Sequence, residues 1–236
     1  MTKCLAAAFA VTAAVATSAN ADLIAYWAQN SNALPGGGNG FLSTAFPQAA
    51  DVGSGTISVG GGLFSQTAVN AAGDDVYSWI QSFAGTTGNV LDASYISGGS
   101  ISVQGGTDGT TNGINNGGYL EFAFSMSGLA DLVVSYDTRG TSTGFNSQTW
   151  SWSIDGVTFT DFEVVSGTNV TSWSTRSLAA LSALDGAATA FLRVTFDGAT
   201  SSSGNNRLDN IQLNAIPAPG AIALLGLAGL AARRRR

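Results

Sequence analysis

Histidine is absent from all 236 residues, and lysine occurs once, as Lys3. No imidazole is available for a catalytic triad, a general base or a metal site. Cysteine also occurs once, as Cys4, inside a stretch read below as a cleaved leader. The rest of the chain therefore has neither thiol chemistry nor a disulfide. Charged residues make up only 10% of the chain. Between Asp22 and Ile216 the cations are Arg139, Arg176, Arg193 and Arg207, set against all fifteen Asp and Glu, a net of −11. A body this acidic repels polyanions, which excludes nucleic acid as a partner.

The two ends read as processing segments. Lys3 precedes an apolar run from Leu5 to Ala16, and Ala19-Asn20-Ala21 follows. Small residues at Ala19 and Ala21 match the −3 and −1 positions read by signal peptidase, with cleavage before Asp22. Residues 1–21 are thus expected to form a signal helix that sends the body through the export machinery. At the other end, Pro217-Ala218-Pro219-Gly220 leads into an apolar run, Ala221 to Ala232, and then Arg233, Arg234, Arg235 and Arg236. Twelve residues as a helix span about 18 Å, against about 30 Å of hydrocarbon, so the run is a marginal membrane anchor. The arginines would stay cytoplasmic and lengthen its reach by snorkelling.

The order of these tail features resembles the PEP-CTERM sorting signal, with Ala218 where that motif carries glutamate. The resemblance implies an exosortase partner, a membrane-embedded cysteine protease-transpeptidase. It also implies transient inner-membrane anchoring, delivery to the cell surface or beyond, and association with exopolysaccharide and biofilm. Residues 215–236 form this segment, and residues 22–214 the extracellular domain.

Period-two alternation dominates that domain. Leu120, Phe122, Phe124 and Met126 fall on one face of a strand; so do Trp150, Trp152 and Ile154, and so do Leu192, Val194 and Phe196. The last segment places Asp209, Ile211 and Leu213 on one face. Asp155-Gly156 marks a hairpin, glycine-rich stretches mark loops, and Ser177 to Gly186 offers at most a short helical turn. These signals predict an all-β fold, an antiparallel β-sandwich. The segment order resembles secreted jelly-roll domains, whose first strand Asp22–Trp27 would match and whose last, Arg207–Leu213, would lie near it. That resemblance makes it an antiparallel jelly-roll-like β-sandwich.

Chemistry is sparse. Asp74-Asp75 is the one adjacent acidic pair, and its members point to opposite faces if extended. Glu121 and Glu163 are the only glutamates, with Glu121 on the polar side of its strand. Two carboxylates can hydrolyse a glycan without histidine, but no paired signature is present. Asp209 is the calcium candidate that the jelly-roll resemblance implies; pairing with Arg193 or Arg207, or capping a turn, are its other roles. No other cofactor is expected. Of five tryptophans, Trp27, Trp79, Trp150, Trp152 and Trp173, the alternation assigns Trp150 and Trp152 to the core. Trp79 and Trp173 remain as sugar-stacking candidates. The sequence thus reads as a non-enzymatic exported surface or matrix protein, with a carbohydrate-binding module next and a secreted glycan hydrolase last.

Overall fold

The computed structural model describes residues 21–29, 40–62, 64–95 and 98–218. The leader up to Asn20 and the tail from Pro219, and with them Ala19, Pro219, Gly220 and the four terminal arginines, lie outside the described residues. Among the described residues the structure is all-β, and no helix is long and apolar enough to cross a membrane.

The first eight strands are β1 (Asp22–Trp27), β2 (Gly40–Leu42), β3 (Gln48–Ala49), β4 (Val52–Gly53), β5 (Thr56–Gly60), β6 (Thr67–Val69), β7 (Asp75–Ala84) and β8 (Gly99–Gln104). Then come β9 (Gly118–Phe124), β10 (Leu129–Gly140), β11 (Ser147–Ser153), β12 (Thr160–Ser166), β13 (Ser174–Ser177), β14 (Ala190–Asp197) and β15 (Asn205–Pro217). They form two sheets. One has nine strands in the order β13-β10-β15-β8-β7-β2, with β1 beside β15, β4 beside β1 and β6 beside β7. The other has six, in the order β12-β11-β14-β9-β5-β3. All pairings between these strands are antiparallel.

Alternating apolar residues build the core between the sheets. Leu120, Phe122, Phe124 and Met126 are buried together, as are Leu192, Val194 and Phe196. Rings link the layers: Trp27 meets Phe122 edge-on at 5.5 Å, Phe122 stacks on Trp150 at 5.9 Å, and Trp150 abuts Tyr136 at 5.2 Å. The polar tips are satisfied inside: Trp150 Nε1 donates to the Tyr136 hydroxyl, which donates to Gln148 Oε1.

The hairpin at Asp155-Gly156 forms, but with a longer loop than a two-residue turn. Asp155 Oδ1 accepts from the Val157 and Thr158 amides and from Ser153 Oγ, so the backbone curls around one carboxylate. β11 therefore ends at Ser153, and Ile154, expected beside Trp152, is 61% exposed.

β15 organises the larger sheet. One edge pairs along its length with β10. The other edge is shared, Asn205–Leu208 with β8 and Ile211–Ala215 with β1. First and last strands thus lie side by side, as the sequence suggested. β15 also continues past the expected Asn214 boundary: Ile216 and Pro217 pair with Ala130 and Leu129, and the Ala218 amide donates to the Gly128 carbonyl.

Replacing Phe122 by alanine opens a cavity between its two aromatic neighbours, Trp27 and Trp150, and should cost about 3–5 kcal/mol in urea unfolding. Replacing Val157, 82% exposed at the hairpin tip, should stay within about 0.5 kcal/mol.

Candidate functional site

The outer face of the nine-stranded sheet carries the polar chemistry, and a bulge in β15 divides it. Ser135 pairs with Gln212 while Asp137 pairs with Asp209, so two steps on β10 match three on β15. Asn210 sits at the extra position with φ of 48°. The bulge reverses the alternation. Ile211 and Leu213 stay in the core, whereas Asp209 turns to the outer face beside Asp137. The sequence expectation of one shared face for Asp209, Ile211 and Leu213 fails here, because period two does not survive an inserted residue.

The segment joining β7 to β8 crosses this bulge. The Asn210 side-chain amide donates to the carbonyls of Thr86 and Gly88, and its Oδ1 accepts from the Tyr26 hydroxyl. Asn89 answers by donating to the Asn210 carbonyl and accepting from Gln212 Nε2. Asp209 accepts from the amides of Thr86 and Asn210, and Asp137 from Thr175 Oγ1. Two glycines permit the close approach. A Cβ on Gly85 would lie 2.3 Å from Asp209 Oδ2, and one on Gly88 2.7 Å from Asp137 Oδ2.

Burial pushes the Asp209 carboxyl up to about 7, with Asp137 adding to the rise against the two amide hydrogen bonds. Burial raises Asp137 as well. Both oxygens of Asp209 are engaged by protein donors, and the described residues contain no group of three His, Cys, Asp or Glu suited to a metal. Calcium needs six to eight oxygens, ordinarily with ionised carboxylates among them, and this arrangement does not fit it. Nor does the Asp137–Asp209 pair suit glycan hydrolysis, since both carboxylates are buried and committed to structural hydrogen bonds.

Beyond the bulge the same face carries a second row of side chains. Arg139 and Arg207 are directly opposite on β10 and β15, and Ser102 on β8 and Gln81 on β7 continue the row. Trp173, next to β13, has the Arg139 guanidinium 5.9 Å from its ring centroid. Phe83 has that of Arg207 at 4.5 Å. These two arginines, Trp173, Phe83 and Gln81 are all partly exposed. Arg139 Nε, Arg207 Nε and Ser102 Oγ are buried without a hydrogen-bond partner, and Ser102 is 0% exposed. One Arg207 Nη reaches the Ala84 carbonyl at 3.5 Å. Burial and the neighbouring Arg139 lower the Arg207 pKa.

The remaining sequence candidates fall elsewhere. Trp79, half-buried against the core, donates to Gln66 Oε1, whereas Trp173 lies beside Arg139 on this face. Trp27 and Trp150 are core, with Trp152 packed against it. Glu121 pairs with Arg193 at 2.6 Å, and Arg193 is clamped between Tyr119 and Phe159 at 3.9 and 3.7 Å. Asp74 accepts from Asn70 in the turn before β7, apart from this face. Of Arg139 and Arg207, the sequence marks only Arg207, as an alternative ion-pair partner of Asp209. The pair's other advance signal was scarcity, with only four arginines in an otherwise cation-free body.

Asp209 and Asp137 have folded pKa values above their unfolded ones. The contribution of Asp209 to stability is full below about pH 4 and is lost as pH rises through about 7, and that of Asp137 is lost in the same direction. The melting temperature should fall between pH 5 and pH 8, and Asp209→Asn should flatten that slope. Calcium or chelator should leave the melting temperature unchanged.

No protein-family model matches the chain, and no curated protein sequence matches it. Among solved structures, the TmCBM61 complex with β-1,4-galactotriose is 11% identical, with a TM-score of 0.37, covering 64% of this chain and 90% of that one. The carbohydrate-binding module CBM6cm-2 of Cellvibrio mixtus lichenase 5A, in complex with cellotriose, is 15% identical at a TM-score of 0.35, covering 64% and 91%. The K1 cleaved adhesin domain of Lys-gingipain from Porphyromonas gingivalis W83 is 10% identical at 0.37, covering 67% and 97%. Scores this low say nothing about what this chain binds.

Proposed function

We propose that the chain is a non-enzymatic, exported polysaccharide-binding β-sandwich. One observation carries the reading: the partly exposed row Trp173, Arg139, Arg207 and Gln81, with Phe83 alongside, across an outer sheet face. A sugar ring has an apolar C–H face and a rim of hydroxyls. It suits an aromatic ring set among hydrogen-bonding side chains. The row crosses four strand spacings, about 19 Å, room for a short stretch of glycan. The absence of histidine from the whole chain and the engagement of Asp137 and Asp209 in structural bonds support binding rather than turnover.

The sorting reading belongs to the same proposal. Pro217-Ala218-Pro219, the apolar run and four arginines support recognition by an exosortase, after signal peptidase removes the leader. The body would be held briefly at the inner membrane, then passed to the surface or the extracellular polysaccharide. Pro217 is the last residue of β15, and the Ala218 amide donates to the Gly128 carbonyl.

Affinity electrophoresis through gels containing different polysaccharides tests the binding. At least one should retard the protein, and Trp173→Ala should remove the retardation with the fold intact by circular dichroism. Retardation by no polysaccharide would overturn the reading. Truncation after Ala218 keeps β15 whole and should leave the protein out of the surface and matrix fractions. Unchanged fractionation would count against sorting by the tail.

A further inference from the structure

Arg139 and Arg207 are an unusual pair for this protein. Like charges directly opposite on antiparallel strands destabilise a sheet, yet two of the four body arginines occupy such positions. The one ion pair among the described residues is Arg193 with Glu121, so neither Arg139 nor Arg207 is neutralised by an acid. The nearest acids on the same face, Asp137 and Asp209, lie one row away and accept hydrogen bonds from Thr175, Thr86 and Asn210 instead.

The Arg139 and Arg207 guanidinium carbons lie 5.9 Å and 4.5 Å from the Trp173 and Phe83 ring centroids, so each group is held beside an aromatic ring. Their Nε atoms are buried, which leaves the terminal Nη groups as the donors a ligand would meet. Packing beside a ring limits each side chain's freedom, so less is lost when those donors engage an anion. A carboxylate accepts two parallel hydrogen bonds from a guanidinium fork.

Resting on the polysaccharide-binding reading, we infer that this face selects glycans carrying acidic sugars, with the Arg139–Arg207 pair holding a uronic acid carboxylate and Trp173 holding a neighbouring ring. The rest of the body limits which acidic glycans fit. Its net charge of −11 repels a densely charged chain, and the repulsion extends over about 10 Å at 0.1 M salt. The ligand is therefore a heteropolysaccharide in which acidic residues are spaced by neutral sugars.

Gellan, with one glucuronate per repeat, its carboxyl-reduced neutral form, and polygalacturonate provide the test by isothermal titration at low and moderate salt. Gellan should bind about tenfold or more tighter than its reduced form, as expected for loss of a charge-assisted bidentate contact. Arg139→Gln and Arg207→Gln should each abolish that preference while leaving the melting temperature equal or higher, because the cross-strand repulsion is relieved. Polygalacturonate should bind more weakly than gellan at low salt. Equal affinity for gellan and its reduced form would overturn the acidic-sugar inference and leave polysaccharide binding standing. Binding of none of the three would sink the inference. If no polysaccharide retards the protein in the gel assay either, the binding reading falls with it. Tighter binding of polygalacturonate than gellan at low salt would overturn the spacing argument. A marked loss of stability in both arginine variants would assign the pair a structural role instead.

Discussion

Asn210 is the residue on which the larger sheet depends. β15 is a central strand whose far edge has two different partners, β8 for its first part and β1 for its second. Where one partner gives way to the other, the ladder is interrupted and backbone groups need partners. The bulge at Asn210 solves this locally. Its side chain and backbone bond to Thr86, Gly88, Asn89, Tyr26 and Asp209, and the segment after β7 is drawn across the seam. Each buried group left unpaired there would cost about 1–3 kcal/mol. Asparagine is suited to the position because it tolerates a left-handed backbone better than most residues with side chains.

The same bulge divides the outer face into two parts with different character. On one side, Asp209, Asp137 and Asn210 are covered and their polar atoms are spent on holding the segment down. On the other, Arg139, Arg207 and Trp173 stay partly exposed, and part of their hydrogen-bonding capacity is unspent. A covered, hydrogen-bonded part and a partly exposed part thus share a face without sharing residues. The raised pKa of Asp209 belongs to the covered part, where loss of hydration outweighs two amide hydrogen bonds.

Much of the fold was legible in the sequence because its signal is local. The runs at Leu120–Met126 and Leu192–Phe196 alternate cleanly, and both lie where alternation places them. The pairing of first and last strands followed the resemblance to jelly rolls. Asp209 was misplaced because one inserted residue inverts every face beyond it, and nothing in Arg207-Leu-Asp-Asn-Ile marks the insertion. Ile154 was misplaced because Asp155 gathers the turn around its own carboxylate and ends the strand early. The arginine row was hidden for another reason. Arg139 and Arg207 are 68 residues apart in sequence, and only strand register brings them together.

Hydrogen exchange on the wild type and on Asn210→Ala tests the organising role of the bulge most directly. The account predicts protected amides at Thr86 and along β15 in the wild type. In the variant, protection should fall across residues 85–95 and 209–212, while β9 and β14 of the other sheet keep theirs. Unchanged protection at Thr86 in the variant, or equal loss throughout both sheets, would contradict it.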